Sequence, residues 1–209
     1  LNQLNFHKSS ITKIEKYTQM VLEYNNKRNL ISKNTENDIW KRHVLDSAQL
    51  VSYLDNFNGV LADFGSGAGF PGIIIDLFNV KNEFHVKLYE KSPVKRNFLN
   101  VVIQKLSLNA TVYKNVYEED IEADIIVCRA FKKLGEILKI SREIRKKSHK
   151  IVILKGRNAQ KEINTVSLGN NYSYKLEDSI TDKDSKIIVL IVKILKLLMI
   201  IKITMEFQY

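Results

Sequence analysis

Leu61-Ala62-Asp63-Phe64-Gly65-Ser66-Gly67-Ala68-Gly69-Phe70-Pro71-Gly72 is the stretch from which the rest of the chain can be read. A short apolar run, 60–64, ends in three alternating glycines, and Pro71 opens a second apolar run, Ile73-Ile74-Ile75. This pattern predicts a buried strand, a tight turn and a helix start. Proline suits the first helical turn because its missing N–H has no partner there anyway. The turn needs positive φ, and a ligand that approaches bare backbone needs the missing Cβ, so glycines serve both ends. Free N–H groups at the helix start can then hold an anion.

The spacing discriminates between ligands. A dinucleotide fingerprint, G-x-G-x-x-G, would put glycine at position 70, where Phe70 stands. The form present is D-x-G-x-G-x-G. It is typical of class I methyltransferases, in which Gly65, Gly67 and Gly69 would wrap the methionine part of S-adenosyl-L-methionine. Any α/β protein can place glycines at such a turn, so a second signal is needed. Phe84-His85-Val86-Lys87-Leu88-Tyr89-Glu90 reads as the next strand, ending in an acid 21 residues beyond Gly69. That is close to the spacing at which a second strand brings a carboxylate to a ribose diol, whose two hydroxyls can both donate to it. Adenosine binding is favoured.

The chain has 209 residues, enough for one domain with a full core, and 44% apolar content suits a globular protein. Thirty-three Lys and Arg against 23 Asp and Glu leave a net charge of +10. Such a surface attracts a polyanion, nucleic acid being the usual one, although a lysine-rich proteome gives the same balance. Cys128 is the single cysteine, so no disulfide framework or paired-cysteine metal site can form, and a reducing cytoplasm is expected. His7, His43, His85 and His149 are scattered and propose no metal. No signal peptide is expected at the start.

Two amphipathic helices precede the first strand. Residues 9–27 place Ile11, Ile14, Tyr17, Val21 and Tyr24 at helical spacing, with Thr12 and Glu15 as a capping box. Residues 35–54 form the second, with an N-cap in 35–38 and Ile39, Val44, Ala48, Val51 and Leu54 on one side. From Val60 onward strands and helices alternate, which predicts a mostly parallel sheet covered on both faces. Strands are expected at 60–64, 84–90, 110–113, 124–128, 150–154, 172–176 and 186–192. Helices are expected at 93–106, carrying Val94, Phe98, Val101, Val102 and Leu106, and at 133–145 and 158–164. The polar connection 177–185 is too short for a crossover, so the last strand should run antiparallel. One domain results: a helical cap over 1–57, a ligand-binding core over 58–193, and an apolar tail over 194–209 that is interrupted by lysines, argues against membrane spanning, and has no evident role.

Several motifs coincide in order: Asn29-Leu30, Arg42-His43-x-Leu45-Asp46-Ser47, Gly65 to Gly72, Lys95-Arg96 with Phe98-Leu99, Arg129-Ala130-Phe131 and Lys155-Gly156. Together they resemble the bacterial RsmG (GidB) family, over roughly residues 14–192. The resemblance implies a class I (Rossmann-like) methyltransferase fold and methylation of N7 of one guanine in 16S ribosomal RNA. It further implies S-adenosyl-L-methionine as cofactor, 16S ribosomal RNA or the small ribosomal subunit as partner, no metal, no membrane, and a cytoplasmic location. Carried over by motif, the cofactor contacts are Gly65, Phe70, Tyr117, Glu118 and Arg129, with Glu90 in the place of the ribose-binding acid, where Asp is the commoner choice. Cys128 stands where many relatives carry Ser, and past Val192 the likeness ends.

Guanine N7 keeps an in-plane lone pair and has no proton to lose, so its attack on a sulfonium methyl needs no general base. Arg129 is the expected alignment residue, able to engage guanine O6, a phosphate or the cofactor carboxylate. Lys155, also at a strand end, is expected to meet RNA phosphate. His43 is expected to serve in buried hydrogen bonding rather than proton transfer. Two other readings are a non-catalytic RNA-binding protein on this fold and a nicotinamide-dependent oxidoreductase. Phe70 and the missing last crossover disfavour the second; the intact loop and Glu90 disfavour the first.

Overall fold

A computed structural model describes residues 1–193 apart from 55, 82, 119–120 and 145–147, so the apolar tail lies outside the described residues. Seven strands form one sheet: β1 Gly59–Phe64, β2 Phe84–Tyr89, β3 Ala110–Tyr113, β4 Ile125–Arg129, β5 His149–Lys155, β6 Tyr172–Asp178 and β7 Lys186–Val192. Their order is β3-β2-β1-β4-β5-β7-β6. β7 runs antiparallel to both of its neighbours, β5 and β6, as the short 177–185 connection requires, and the other pairings are parallel. The order reverses between β1 and β4, which is where an open α/β sheet leaves its ligand crevice.

The central strands are apolar throughout because both faces are covered. On β5, Val152 and Leu154 enter one core while Ile151 and Ile153 enter the other. The first core lies under α1 Lys8–Asn25, α3 Gly72–Phe78 and α4 Pro93–Leu106. The second lies under α5 Leu134–Glu143 and α6 Ala159–Asn164.

The cap departs from the expected helices in its details. α1 is capped by His7, whose Nδ1 accepts the Ser9 N–H, and not by Thr12, which turns its hydroxyl back to the Lys8 carbonyl. Thr35 does not cap the second helix either. It ends a short 3-10 turn, Lys33–Thr35, and its hydroxyl donates to the Ser32 carbonyl. Residues 40–53 form a mixed helical run: π-helical Trp40–Leu45, one α turn Asp46–Ala48 (α2) and 3-10 Gln49–Tyr53. The wide first turn matches the five-residue step from Ile39 to Val44, both buried. On α4, Phe98, Val102 and Leu106 are buried, but Val94 and Val101 face solvent, because one stripe is all this helix presents to the sheet.

Candidate functional site

At the end of β1 the chain turns on Gly65 (φ +73°), Gly67 (φ +60°) and Gly69 (φ +109°), conformations that side chains rarely adopt. The Gly65 and Ser66 N–H groups both donate to the Tyr89 carbonyl, at 2.9 and 3.0 Å, so the turn is tied to the end of β2. The three glycines serve different needs. A Cβ on Gly65 would run into the Phe131 ring, and one on Gly69 into Ile73 and the Tyr17 hydroxyl. Above Gly67 the space is open, the nearest atom being the Gly65 carbonyl oxygen at 3.9 Å. Gly65 and Gly69 therefore pack against the protein, and Gly67 is the glycine that leaves room for a ligand.

Glu90 stands beside that opening, buried just past β2. Its Oε2 accepts the Gly67 N–H at 2.9 Å and its Oε1 accepts the Ser92 N–H at 2.7 Å. Each carboxylate oxygen keeps a further lone pair for a ligand hydroxyl. Asp63, on β1 and fully buried, went without a role in the sequence reading although it begins the D-x-G-x-G-x-G motif. Its Oδ2 accepts the Gly72 N–H at 3.0 Å and so fixes the start of α3. Burial pushes its pKa up to about 7, against the Gly72 and Ser66 hydrogen bonds. Its Oδ1 is buried without a hydrogen-bond partner among the described residues. A polar residue inside an apolar strand was the available signal.

Phe70 does not face the opening. It is 3% exposed and packs between Tyr17 and His43, with ring centres 5.1 and 5.0 Å away, and the Arg129 guanidinium lies over it at 5.5 Å. Tyr17, from α1, also donates to the Ala68 carbonyl at 2.8 Å. Phe70 thus joins the glycine loop to the cap.

Arg129, at the end of β4, is clasped by the same cap. Its Nη1 donates to the Arg42 carbonyl at 2.8 Å and faces Asp46 Oδ2 at 3.4 Å, while Nη2 donates to His43 Nδ1 at 2.7 Å. A guanidinium only donates, so His43 Nδ1 is the acceptor and Nε2 carries the proton, 2.8 Å from the Thr35 hydroxyl. Burial, then the charges of Arg129 and Arg42, lowers the His43 pKa to about 4. His43 is neutral near pH 7 with both nitrogens engaged, which fits hydrogen bonding and not proton transfer.

The remaining sequence candidates are placed less centrally. Tyr117 and Glu118 lie in the turn after β3, with Tyr117 well exposed and Glu118 accepting from Asn115 Nδ2 at 2.6 Å. Lys155 ends β5 and is engaged within the protein. Its Nζ donates to Glu162 at 2.8 and 3.0 Å and to the Lys132 carbonyl at 2.8 Å, while Glu162 also accepts the Leu134 N–H that starts α5. Cys128 is fully buried, and burial pushes its thiol pKa well up, which suits a core residue.

A cavity of about 390 Å³ opens beside Arg129 at the carboxyl edge of β4 and β5. Arg42, His43 and Asp46 of the cap form one side, and Thr181, Asp182 and Ser185, between β6 and β7, form another. The loop residues escaped sequence reading because a polar connection gives no periodic signal. Among the described residues no group of three or more His, Cys, Asp or Glu could hold a metal, and no helix is long and apolar enough to cross a membrane.

Known proteins share both the fold and the sequence of this chain. Magnesium protoporphyrin IX methyltransferase from Synechocystis, solved with bound SAM, shares the fold at a TM-score of 0.57 and 13% identity, over 85% of this chain and 97% of that one. The ribosomal RNA small subunit methyltransferase G of Orientia tsutsugamushi (strain Ikeda) is 34% identical over 185 residues, 88% of this chain and 91% of the relative. Its counterpart in Rickettsia rickettsii (strain Sheila Smith) is 37% identical over 180 residues, 85% of this chain and 92% of the relative. The family model GidB, rRNA small subunit methyltransferase G, matches residues 10–188, and so takes in the cap, the glycine loop and the Arg129 clasp together. The chain belongs to the GidB family of rRNA small subunit methyltransferases.

Proposed function

We propose that this chain transfers a methyl group from S-adenosyl-L-methionine to N7 of a guanine in 16S ribosomal RNA, as free RNA or within the small subunit. The observation that carries the reading is the pairing of an open cradle at Gly67, with the Glu90 carboxylate beside it, and a cavity at the same sheet edge whose histidine, His43, has both ring nitrogens engaged. The residues suit the cofactor. Gly67 leaves space a Cβ would fill, and Glu90 can take two ribose hydroxyls. When bound, the cofactor supplies a sulfonium methyl that an uncharged lone pair can attack.

The chain's own contribution is alignment. His43 is neutral near pH 7 with both ring nitrogens engaged, and N7 has no proton to give, so the transfer needs no general base. Holding N7, methyl carbon and sulfur in line can supply about 7–11 kcal/mol. Arg129 positions the cap that bounds the cavity, with Asp46 and His43 keeping its planar fork in one orientation. Exposed Lys41, Arg42, Arg157 and Lys183, beside or within the cavity wall, suit the phosphates around a target base. A cytoplasmic location goes with this reading, since that is where ribosomal RNA is the substrate.

Small-subunit RNA is incubated with labelled cofactor and the purified chain, digested, and separated into nucleosides. Label should appear in 7-methylguanosine, and RNA affinity should fall steeply between low and physiological salt. Label in another nucleoside, or none with cofactor bound, refutes the reading.

A further inference from the structure

An N7 nucleophile does not by itself select guanine, since adenine carries the same acceptor. The two purines differ beside N7, at O6 against N6–H₂, and again at a second edge, where guanine presents N1–H and N2–H₂ donors side by side and adenine presents an acceptor at N1. An ionised carboxylate accepts two hydrogen bonds there and donates none.

Two carboxylates line the cavity, Asp46 and Asp182. Asp46 is committed. Its Oδ1 accepts from Thr181 at 2.8 Å and Gln49 at 3.0 Å, and its Oδ2 faces Arg129 at 3.4 Å. Asp182 is available. Its Oδ1 accepts the Asp184 N–H at 2.9 Å, and its Oδ2 lies 3.7 Å from the Arg42 guanidinium with the side chain 37% exposed. A loose exposed pair of this kind contributes little and exchanges readily for a better donor. The Asp184 N–H, with smaller help from Ser185 and Arg42, holds the carboxyl below the usual range, so the acceptor is ionised.

Position supports the same assignment. Asp182 occupies the β6–β7 side of the cavity, and Arg129 with Ala130, at the end of β4, occupies the other. β4 pairs with β1, whose end carries the glycine loop. A purine lying across the cavity with its N7 edge toward β4 and the cofactor turns its N1/N2 edge toward Asp182. We infer that Asp182 reads the N1–H and N2–H₂ edge of the target guanine and so makes the enzyme guanine-specific. This inference rests on the guanine-N7 reading above. Arg42, released from Asp182, stays in the cavity wall for the nucleotide's phosphate.

The test replaces the guanine found methylated with inosine, which lacks the 2-amino group, in a ligated small-subunit RNA. Single-turnover transfer is then measured for wild type, Asp182→Asn and Asp182→Ala, with cofactor affinity and melting temperature recorded for each. Wild type should lose about ten- to a hundredfold on the inosine RNA, the range for one hydrogen bond to a charged group. Both variants should be slower on guanine by a similar factor and treat guanine and inosine alike, with cofactor affinity kept. Variants that retain the wild-type preference for guanine over inosine overturn the role of Asp182 while leaving N7 methylation standing. A wild-type protein that methylates another atom removes both readings, and the nucleoside analysis separates the two failures.

Discussion

Replacing Arg129 by alanine removes a side chain that holds together three parts of the molecule: the end of β4, the cap and the Phe70 ring. Lost are hydrogen bonds to the Arg42 carbonyl at 2.8 Å and to His43 Nδ1 at 2.7 Å, the 3.4 Å contact with Asp46, and the stacking over Phe70. Hydrogen bonds to charged groups contribute about 1.5–3 kcal/mol each. Their sum overstates the loss here, because Asp46 keeps Gln49 and Thr181 as donors and the Arg42 residue is exposed to water. A net cost of about 3–4 kcal/mol follows, which for a domain of this size lowers Tm by roughly 6–15 °C.

The histidine gives an independent readout. Arg129 is the second cause, after burial, of the low His43 pKa of about 4, so Arg129→Ala should raise that pKa without restoring 6.5. The sign for stability follows from linkage. A histidine whose folded pKa lies below its unfolded one loses stability as pH falls from 6.5 toward 4. That acid loss is smaller in the variant, so the Tm gap between wild type and Arg129→Ala should narrow over this window. Arg129→Lys should recover little, since an ammonium cannot face His43, Asp46 and the Arg42 carbonyl from one plane. Methyl transfer at saturating cofactor should fall by about two powers of ten as alignment is lost. Thermal melting from pH 4.5 to 8, histidine NMR titration and single-turnover transfer check each part. A Tm within about 2 °C of wild type at pH 7, or an unmoved His43, refutes the reasoning.

Glu90→Ala should weaken S-adenosyl-L-methionine binding by about 1.5–3 kcal/mol in calorimetry. It should also lower Tm without ligand, because the Gly67 and Ser92 N–H groups lose their acceptor; an unchanged affinity would place the ribose elsewhere. Gly69→Ala should destabilise the fold strongly, since its Cβ meets Ile73, Tyr17 and Leu99, whereas Gly67→Ala should cost only the left-handed backbone, about 1–2 kcal/mol, while weakening cofactor binding. Equal melting of the two variants would contradict the packing assigned to Gly69. Burial raises the Asp76 pKa to about 7, so the folded state holds more protons than the unfolded one and stability declines as pH rises from about 4 to 7. Asp76→Asn, which keeps an acceptor for the Asn109 N–H, should make that decline shallower in denaturant midpoints; an identical slope would show that Asp76 does not carry it.

The parallel sheet was legible because its central strands are buried on both faces and leave unbroken apolar runs between turn residues. The antiparallel β7 was legible from the length of 177–185 alone. The glycine loop announced a ligand, but not which glycine meets it. Gly65, Gly67 and Gly69 look alike in sequence and differ only in what stands over them: Phe131, open space, and Ile73 with Tyr17. The π turn at Trp40–Leu45 was hidden because a five-residue apolar step reads as an irregular helix. The surroundings of Lys155 were hidden for a similar reason. Its position at a strand end was visible, but its partner Glu162 sits one turn into α6, where sequence shows only another exposed-looking acid.

Phe70 explains why this loop departs from the dinucleotide pattern. In that pattern a third glycine lets helix and strand approach closely around a pyrophosphate. Here the side chain at that position leaves the ligand face and enters the cap, between Tyr17 of α1 and His43 of the π turn, beneath Arg129. The shape of the glycine loop is therefore fixed in part by residues before the first strand. Those same residues, through Arg42, His43 and Asp46, wall the cavity proposed for the base. Ile14, Tyr17, Val21, Val44, Ala48 and Leu50 are fully buried in the core that also contains Leu61, Ile73 and Leu88. Removing the first 57 residues would expose that core as well as take away one wall of the site. The cap is thus a third layer of the fold, and a change in how it seats on Phe70 and Arg129 must reach the glycine loop and the cavity proposed for the base together.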